Sequence, residues 1–130
     1  ELLLQLLEEA QRSAQLGSWR FVPDTGETEW SREFRRIAGL APEIPPHVPA
    51  FLERIHPEDR VTFETRYREA MARPEGGELD GRLLLPNGEV RHIRLSGASS
   101  VTPNGQFELR GTLRRAKVAN PHTWFEVSVP

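Results

Sequence analysis

Apolar residues recur at helical spacing along the first part of the chain, and alternate with polar ones along the last part. Leu3, Leu7, Ala10 and Ala14 follow a four-three-four spacing, a short heptad-like seam that Leu2, Leu4 and Leu6 broaden. The pattern predicts a helix over residues 1–16, ended by Gly17. A helix of that length is marginal alone, so its seam must bury against its own domain, a second copy or an upstream helix. The heptad spacing favours dimerisation. Trp19–Val22 and Glu27–Trp30 read as two strands around the turn residues Pro23-Asp24-Thr25-Gly26. Ser31 suits an N-cap and Gly39 a C-terminal stop, around a short helix with Phe34, Ile37 and Ala38 on one face. The proline-rich stretch 42–49 breaks regular structure, and Pro49–Ile55 reads as a further turn or two presenting Phe51, Leu52 and Ile55.

His56-Pro57-Glu58-Asp59-Arg60 has the marks of a helix start. His56 can cap, and Pro57 suits the first helical position because its missing N–H has no partner there. Glu58 and Asp59 are expected to act as helix-dipole partners, each contributing about 0.3–1 kcal/mol, rather than as an acid–base pair. Phe63, Tyr67 and Ala70/Met71 then share one face until Pro74, Gly76 and Gly77 end the helix. Leu79, Gly81, Leu83 and Leu85 alternate with Asp80, Arg82 and Leu84, as in a half-buried strand. Pro86-Asn87-Gly88 and Pro103-Asn104-Gly105 read as two-residue Asn-Gly hairpins of type I′, joining strands over Val90–Val101 and Phe107–Arg114. A three-stranded meander after two early strands, with helices between, makes an α+β domain with helices gathered on one face of an antiparallel sheet.

Composition narrows this picture mostly by exclusion. A chain of 130 residues fits one domain, and such a chain buries about two-thirds of its surface without staples. Net charge is −2, which gives no electrostatic case for nucleic acid. No apolar run approaches the ~18 residues of a membrane span, and Leu2–Leu7 lacks the basic flank of a signal peptide. Direct membrane insertion is not expected. The absence of cysteine excludes disulfides, thiolate catalysis and thiolate metal sites, and suits the expected cytoplasmic location. The chain begins with Glu1 rather than Met, so it reads as a piece of a longer protein.

The ordered set Leu16-Gly17-Ser18-Trp19, Asp24-Thr25-Gly26, Glu29-Trp30-Ser31 through Gly39-Leu40, His56-Pro57-Glu58-Asp59-Arg60, Arg82-Leu83, Pro86-Asn87-Gly88-Glu89-Val90-Arg91 and Gly111 resembles a PAS domain. The subclass is the PAS fold-3-like one of bacterial sensor kinases and cyclic-dinucleotide enzymes. The resemblance spans roughly residues 14–115 in the family's order. It implies a five-stranded antiparallel sheet in spatial order 2-1-5-4-3, a cavity between sheet and helices, and a sensory or interaction role. The chain divides accordingly into a flanking or dimerisation helix (1–16), a PAS domain (17–117) and an extended tail or linker (118–130). One departure stands out. Family members commonly end the last strand with Asp-Ile-Thr, where this chain has Arg115-Ala116-Lys117, and Trp124–Val129 reads as extended rather than as an outgoing helix.

Little in the chain points to chemistry. His47, His56, His92 and His122 have no partner at metal-motif spacing. Haem-binding relatives ligate iron from an inward position on the long helix, and Phe63, Tyr67 and Met71 stand there instead. The family's flavin photosensors need a reactive cysteine in the helix region. The expectation is therefore no catalytic residue, no metal and no cofactor, in a homodimeric module linked to an output domain. The alternative is a small-ligand domain with a non-covalent cofactor. Any such ligand would meet the inward set Trp19, Trp30, Phe34, Ile37, Phe51, Ile55, Phe63, Tyr67, Leu83, Leu85, Ile93 and Leu95. Large aromatics favour a filled or very small cavity. The outward sheet face, with His92, Arg94, Glu108, Arg110, Thr112 and Leu84, is one candidate seat for the leucine-rich helix; a second subunit is the other.

Overall fold

A computed structural model describes residues 1–73 and 75–116. Pro74, Lys117, His122 and the tail expected to extend over Trp124–Val129 lie outside the described residues, as does the side chain of Met71. In chain order the elements are α1 (Leu2–Ala14), β1 (Leu16–Phe21), β2 (Thr28–Trp30), α2 (Arg32–Ala38) and α3 (Val48–Leu52). A 3₁₀ turn (Pro57–Asp59) runs into α4 (Arg60–Met71), followed by β3 (Gly77–Leu84), β4 (Val90–Val101) and β5 (Phe107–Arg115). The strands form one antiparallel sheet in the order β2-β1-β5-β4-β3, as the resemblance implied. Helices α2 and α4 pack on one face of it.

The local signals act where they were read. Ser31 Oγ accepts the Phe34 N–H at 3.1 Å, and Gly39 closes α2 at φ 67°. His56 Nδ1 accepts the Glu58 N–H at 3.1 Å, with Pro57 at the start of the turn.

Three details differ from expectation. Helix α1 stops at Ala14, where Gln15 takes the left-handed conformation at φ 53°, so Gly17 lies inside β1. Gly17 serves a close approach instead: a Cβ there would stand 2.6 Å from Phe34 Cα. Second, the hairpins are not type I′. Gly88 N–H donates to Leu85 O and Leu85 N–H to Glu89 O, each at 2.9 Å, so the loop has three residues. Thr102 and Gln106 frame Pro103-Asn104-Gly105 in the same way, and positive φ falls on Gly88 and Gly105 alone. The proline explains this, because its fixed φ sets the first central position of a type I turn and leaves the glycine as the left-handed residue. Third, Leu85 lies beyond the end of β3, yet it stays buried.

The core gathers Phe34, Ile37, Phe51, Ile55, Phe63, Leu83, Leu85, Ile93 and Leu95, with Trp19, Trp30 and Tyr67 packed against it. Ala38, Leu40, Ala50, Leu79 and Leu113 complete it. Helix α1 stands apart. None of its residues is buried, and Leu2, Leu3, Leu4, Leu6 and Leu7 are 52–70% exposed. It is tied to the domain by polar contacts, Gln11 Nε2 to Ser18 Oγ at 3.2 Å and Glu8 to Arg32 at 3.1 Å. Among the described residues no helix is long and apolar enough to cross a membrane.

Candidate functional site: the aromatic interior and the ionic face

Between the sheet and α2–α4 the aromatic rings form a continuous chain. Trp30 stacks on Phe34 at 5.4 Å, Phe34 meets Phe51 at 5.3 Å, Phe51 meets Phe63 at 6.2 Å, and Phe63 stacks on Tyr67 at 6.3 Å. These are favourable offset or tilted separations. At the outer end the Arg35 guanidinium lies 5.3 Å over Trp30, held by Ala41 O and Ile44 O. The space left is a cavity of about 40 Å³. Of the expected residues, Trp19, Trp30, Phe34, Phe51, Phe63, Tyr67 and Leu95 line it. Ile37, Ile55, Leu83, Leu85 and Ile93 do not, being solid core. Phe21, Thr28, Val48 and Leu52 line it without having been expected. Phe21 was legible, since it alternates with Trp19 on β1. Leu52 was read as presented by the turn over Pro49–Ile55 without being assigned to the cavity, and Val48 was not legible, because a proline-rich stretch hides the start of the five-residue α3.

The interior offers few polar groups. Burial pushes the Tyr67 phenol above its ordinary value, so its hydroxyl stays protonated at neutral pH. Thr28 is the other hydroxyl in the lining. Pockets that hold drug-sized ligands run to roughly 300–1,000 Å³, whereas 40 Å³ is about the space of one or two waters. The lining has no amide side chain and the chain no cysteine. These residues do not fit a flavin, and the volume does not fit a haem. Among the described residues no group of three or more His, Asp or Glu comes together to hold a metal.

The helix start corrects the sequence reading. Asp59 makes no capping hydrogen bond. Its carboxylate instead takes a two-pronged grip from Arg82, with Nε to Oδ2 at 2.9 Å and Nη2 to Oδ1 at 2.7 Å, and it also accepts the Arg82 N–H at 3.2 Å. Glu58 meets the same guanidinium at 3.3 Å. The grip lies beside the Ile55–Leu83 bridge and the bonds His56 N–H to Arg82 O and Leu84 N–H to Arg54 O. The stretch before α4 is thus fastened along the outer edge of β3.

The other face of the sheet is ionic. Arg20 reaches Glu108 at 3.0 Å and Glu29 at 2.8 Å, and Arg110 closes on Glu108 from the other side. Glu108 is 3% exposed. Burial alone would raise its carboxyl, but hydrogen bonds from Arg20 and Arg110 outweigh it and hold the group below the ordinary value. Ser96 and Thr112 hydroxyls meet at 2.6 Å, and Arg94 grips Asp80 at 2.6 and 2.9 Å. Among the described residues this ionic face gives the leucines of α1 no broad apolar seat.

Comparison with known proteins agrees with this geometry. The model of the PAS fold matches residues 27–113. A blue-light-activated histidine kinase of Brucella anthropi is 32% identical over 80 residues, covering 62% of this chain and 16% of that protein. The chain thus corresponds to under a fifth of the length of that relative. A sensory box histidine kinase/response regulator from Burkholderia thailandensis superposes with a TM-score of 0.65 at 23% identity, over 85% of this chain and 83% of the other. A light-oxygen-voltage domain studied with a flavin analogue gives 0.64 at 16% identity, over 85% and 84%. With a family model over most of its length and the sheet order the family requires, the chain belongs to the PAS-fold family.

Proposed function

We propose that the domain is a non-catalytic sensory and dimerisation module of a larger cytoplasmic signal-transduction protein, a histidine kinase or a cyclic-dinucleotide enzyme. The observation that carries this reading is the row of exposed leucines on α1. Contiguous apolar surface of this kind marks an interaction site. The ionic sheet face offers no seat for it, whereas a second copy does, with Leu3, Leu7, Ala10 and Ala14 as the seam. A change in the interior would reach α1 through β1 and α2, to which Ser18–Gln11 and Arg32–Glu8 tie it. An output domain linked in the same chain is supported by the kinase relative, of which the match covers a small part. The module works without a flavin, a reading supported by the 40 Å³ interior and the missing cysteine. A net charge of −2 supports partners other than nucleic acid.

Light scattering on the purified chain tests the reading. It should give a dimer that becomes monomeric in the Leu3→Asp/Leu7→Asp double variant, with the sheet signal in circular dichroism retained and the helical signal of α1 reduced. A parent chain that is already monomeric sinks the dimer. Native mass and absorbance should show bare polypeptide; a co-purified small molecule would favour a cofactor-binding domain instead.

A further inference from the structure

The stretch between α2 and the 3₁₀ turn is fastened to the domain by arginines rather than by its backbone. Residues 41–53 include Pro42, Pro45, Pro46 and Pro49, four positions with no N–H to give to a ladder. The bonds that remain close on the stretch itself, with Ile44 N–H on Ala41 O at 3.1 Å, Ala50 N–H on His47 O at 3.1 Å and Glu53 N–H on Pro49 O at 3.0 Å. Among the described residues no backbone–backbone bond runs from 41–53 to the sheet, α2 or α4. Its carbonyls are taken by guanidiniums instead. Arg35 on α2 donates Nη1 to Ala41 O at 2.9 Å and to Ile44 O at 2.8 Å. Arg60, at the head of α4, donates Nη2 to Glu53 O and Nε to Ile55 O, both at 3.1 Å. Arg54 pins the two ends together through Gly39 O, with Nε at 3.3 Å and Nη2 at 3.2 Å. Joined ends of this kind mark the compact surface loops that frequently carry function.

We propose that residues 41–53 form a strap that opens and closes as one unit on an otherwise intact domain, with Arg35, Arg54 and Arg60 as its latches. Three features set it apart from the rest of the fold. Its share of the buried core is Ala50 and Phe51 alone, so opening forfeits one large ring, the one between Phe34 and Phe63. Its roots stay in place, because Leu40 and Ile55 are buried and Leu84 N–H holds Arg54 O at 2.7 Å. Its prolines fix φ along its length, so the segment keeps its shape while it moves. Opening therefore costs more than the fraying of a terminus and less than global unfolding, the range from which moving functional segments are drawn. The latches bind neutral carbonyls, and among the described residues none of the three arginines meets a carboxylate. A sensory module needs two arrangements that a signal can bias, and the strap supplies them without breaking the sheet. It stands whether or not α1 pairs with a second copy.

The test is amide hydrogen exchange, followed by NMR, in the full 130-residue chain and its Arg35→Met and Arg60→Met variants. Methionine keeps much of the stem and removes the donors. Arg35 acts at the Ala41–Ile44 end and Arg60 at the Glu53–Ile55 end. In a single unit each latch governs both ends. Arg35→Met should then speed exchange at the Glu53 and Arg54 N–H groups, and Arg60→Met at the Ile44 N–H, by about ten- to a hundredfold for the loss of hydrogen bonds from a charged donor. Exchange along β4 and β5 should not change. Acceleration confined to the end that each arginine touches means independent fraying and overturns the unit. Equal acceleration in the strap and in β4 and β5 means that the two open together, and overturns it as well. Should Arg35→Met not fold, Arg60→Met read at Ile44 and along β4 decides by the same criteria.

Discussion

The two faces of the sheet are made by the same strands and held by different physics. β4 sends Ile93 and Leu95 inward to the core and Arg94 outward to Asp80. β5 sends Leu113 inward while Glu108 is clasped between two arginines outside. Inside, each large side chain removed from water contributes roughly 1.5–3 kcal/mol. Outside, each ion pair offsets its Coulomb gain against desolvation and side-chain ordering, leaving about 0–1 kcal/mol for exposed pairs. The inner face therefore carries the stability. The outer face settles which surfaces can dock there, because a covering of matched charges is a poor seat for leucines.

The largest effect should come from the inner face. Phe63, 1% exposed and flanked by Phe51 and Tyr67, should cost about 3–5 kcal/mol when changed to Ala. Leu84→Ala on the outer side should stay within about 0.5 kcal/mol. Urea unfolding of both variants checks the pair, and comparable losses would dissolve the distinction between the faces. The sheet edge falls between these extremes. Asp59→Ala leaves one backbone N–H without its acceptor and the Arg82 guanidinium with Glu58 alone, at about 1.5–3 kcal/mol. Glu58→Ala, removing a carboxylate that is 75% exposed, should cost under about 1 kcal/mol. If the two carboxylates cost the same, they act as dipole partners and the edge clamp is not what holds them.

This pair also shows where sequence reasoning stopped. The strands, the helix caps and most of the core were legible, because alternation, Ser31, Gly39 and Pro57 are local signals, whereas the order of the strands in the sheet came only with the family resemblance. Asp59 and Arg82 are 23 positions apart, and no pattern links a helix start to a strand it will flank. The same holds for the interior. The aromatic set was readable as inward-facing, but whether it fills its space depends on how the rings tilt. The hairpins failed for a different reason: Asn-Gly outweighed the proline before it, although the proline decides the turn.

Below neutral pH the outer face should show itself through Glu108. Its folded carboxyl is held below the ordinary range by Arg20 and Arg110 against the effect of burial, so on acidification the unfolded chain takes up the proton first. The contribution is in full above the unfolded value of about 4.3 and is lost as pH falls through the folded one. Glu89, lowered mainly by its hydrogen bond from Arg91 with Arg115 adding to it, follows the same sign. Urea midpoints measured from about pH 6 to about pH 3 should fall less steeply in Glu108→Gln than in the parent. Parallel curves would mean that the clasp does not favour the charged form.

The smallest expected effect is the most direct measure of the outer face. Arg94 and Asp80 are cross-strand partners with a two-pronged grip, and their side chains are 31% and 15% exposed. A double-mutant cycle through Arg94→Ala and Asp80→Ala should return a coupling of about 0.2–1 kcal/mol. It should shrink in about 1 M salt, where the screening length drops to about 3 Å. Geometry this good argues for the upper part of that range, since both partners are already ordered by the ladder and lose little freedom in meeting. A coupling near 3 kcal/mol that salt leaves untouched would place the pair with the buried clamps, and the outer face would then share in holding the fold that the aromatic interior is credited with here.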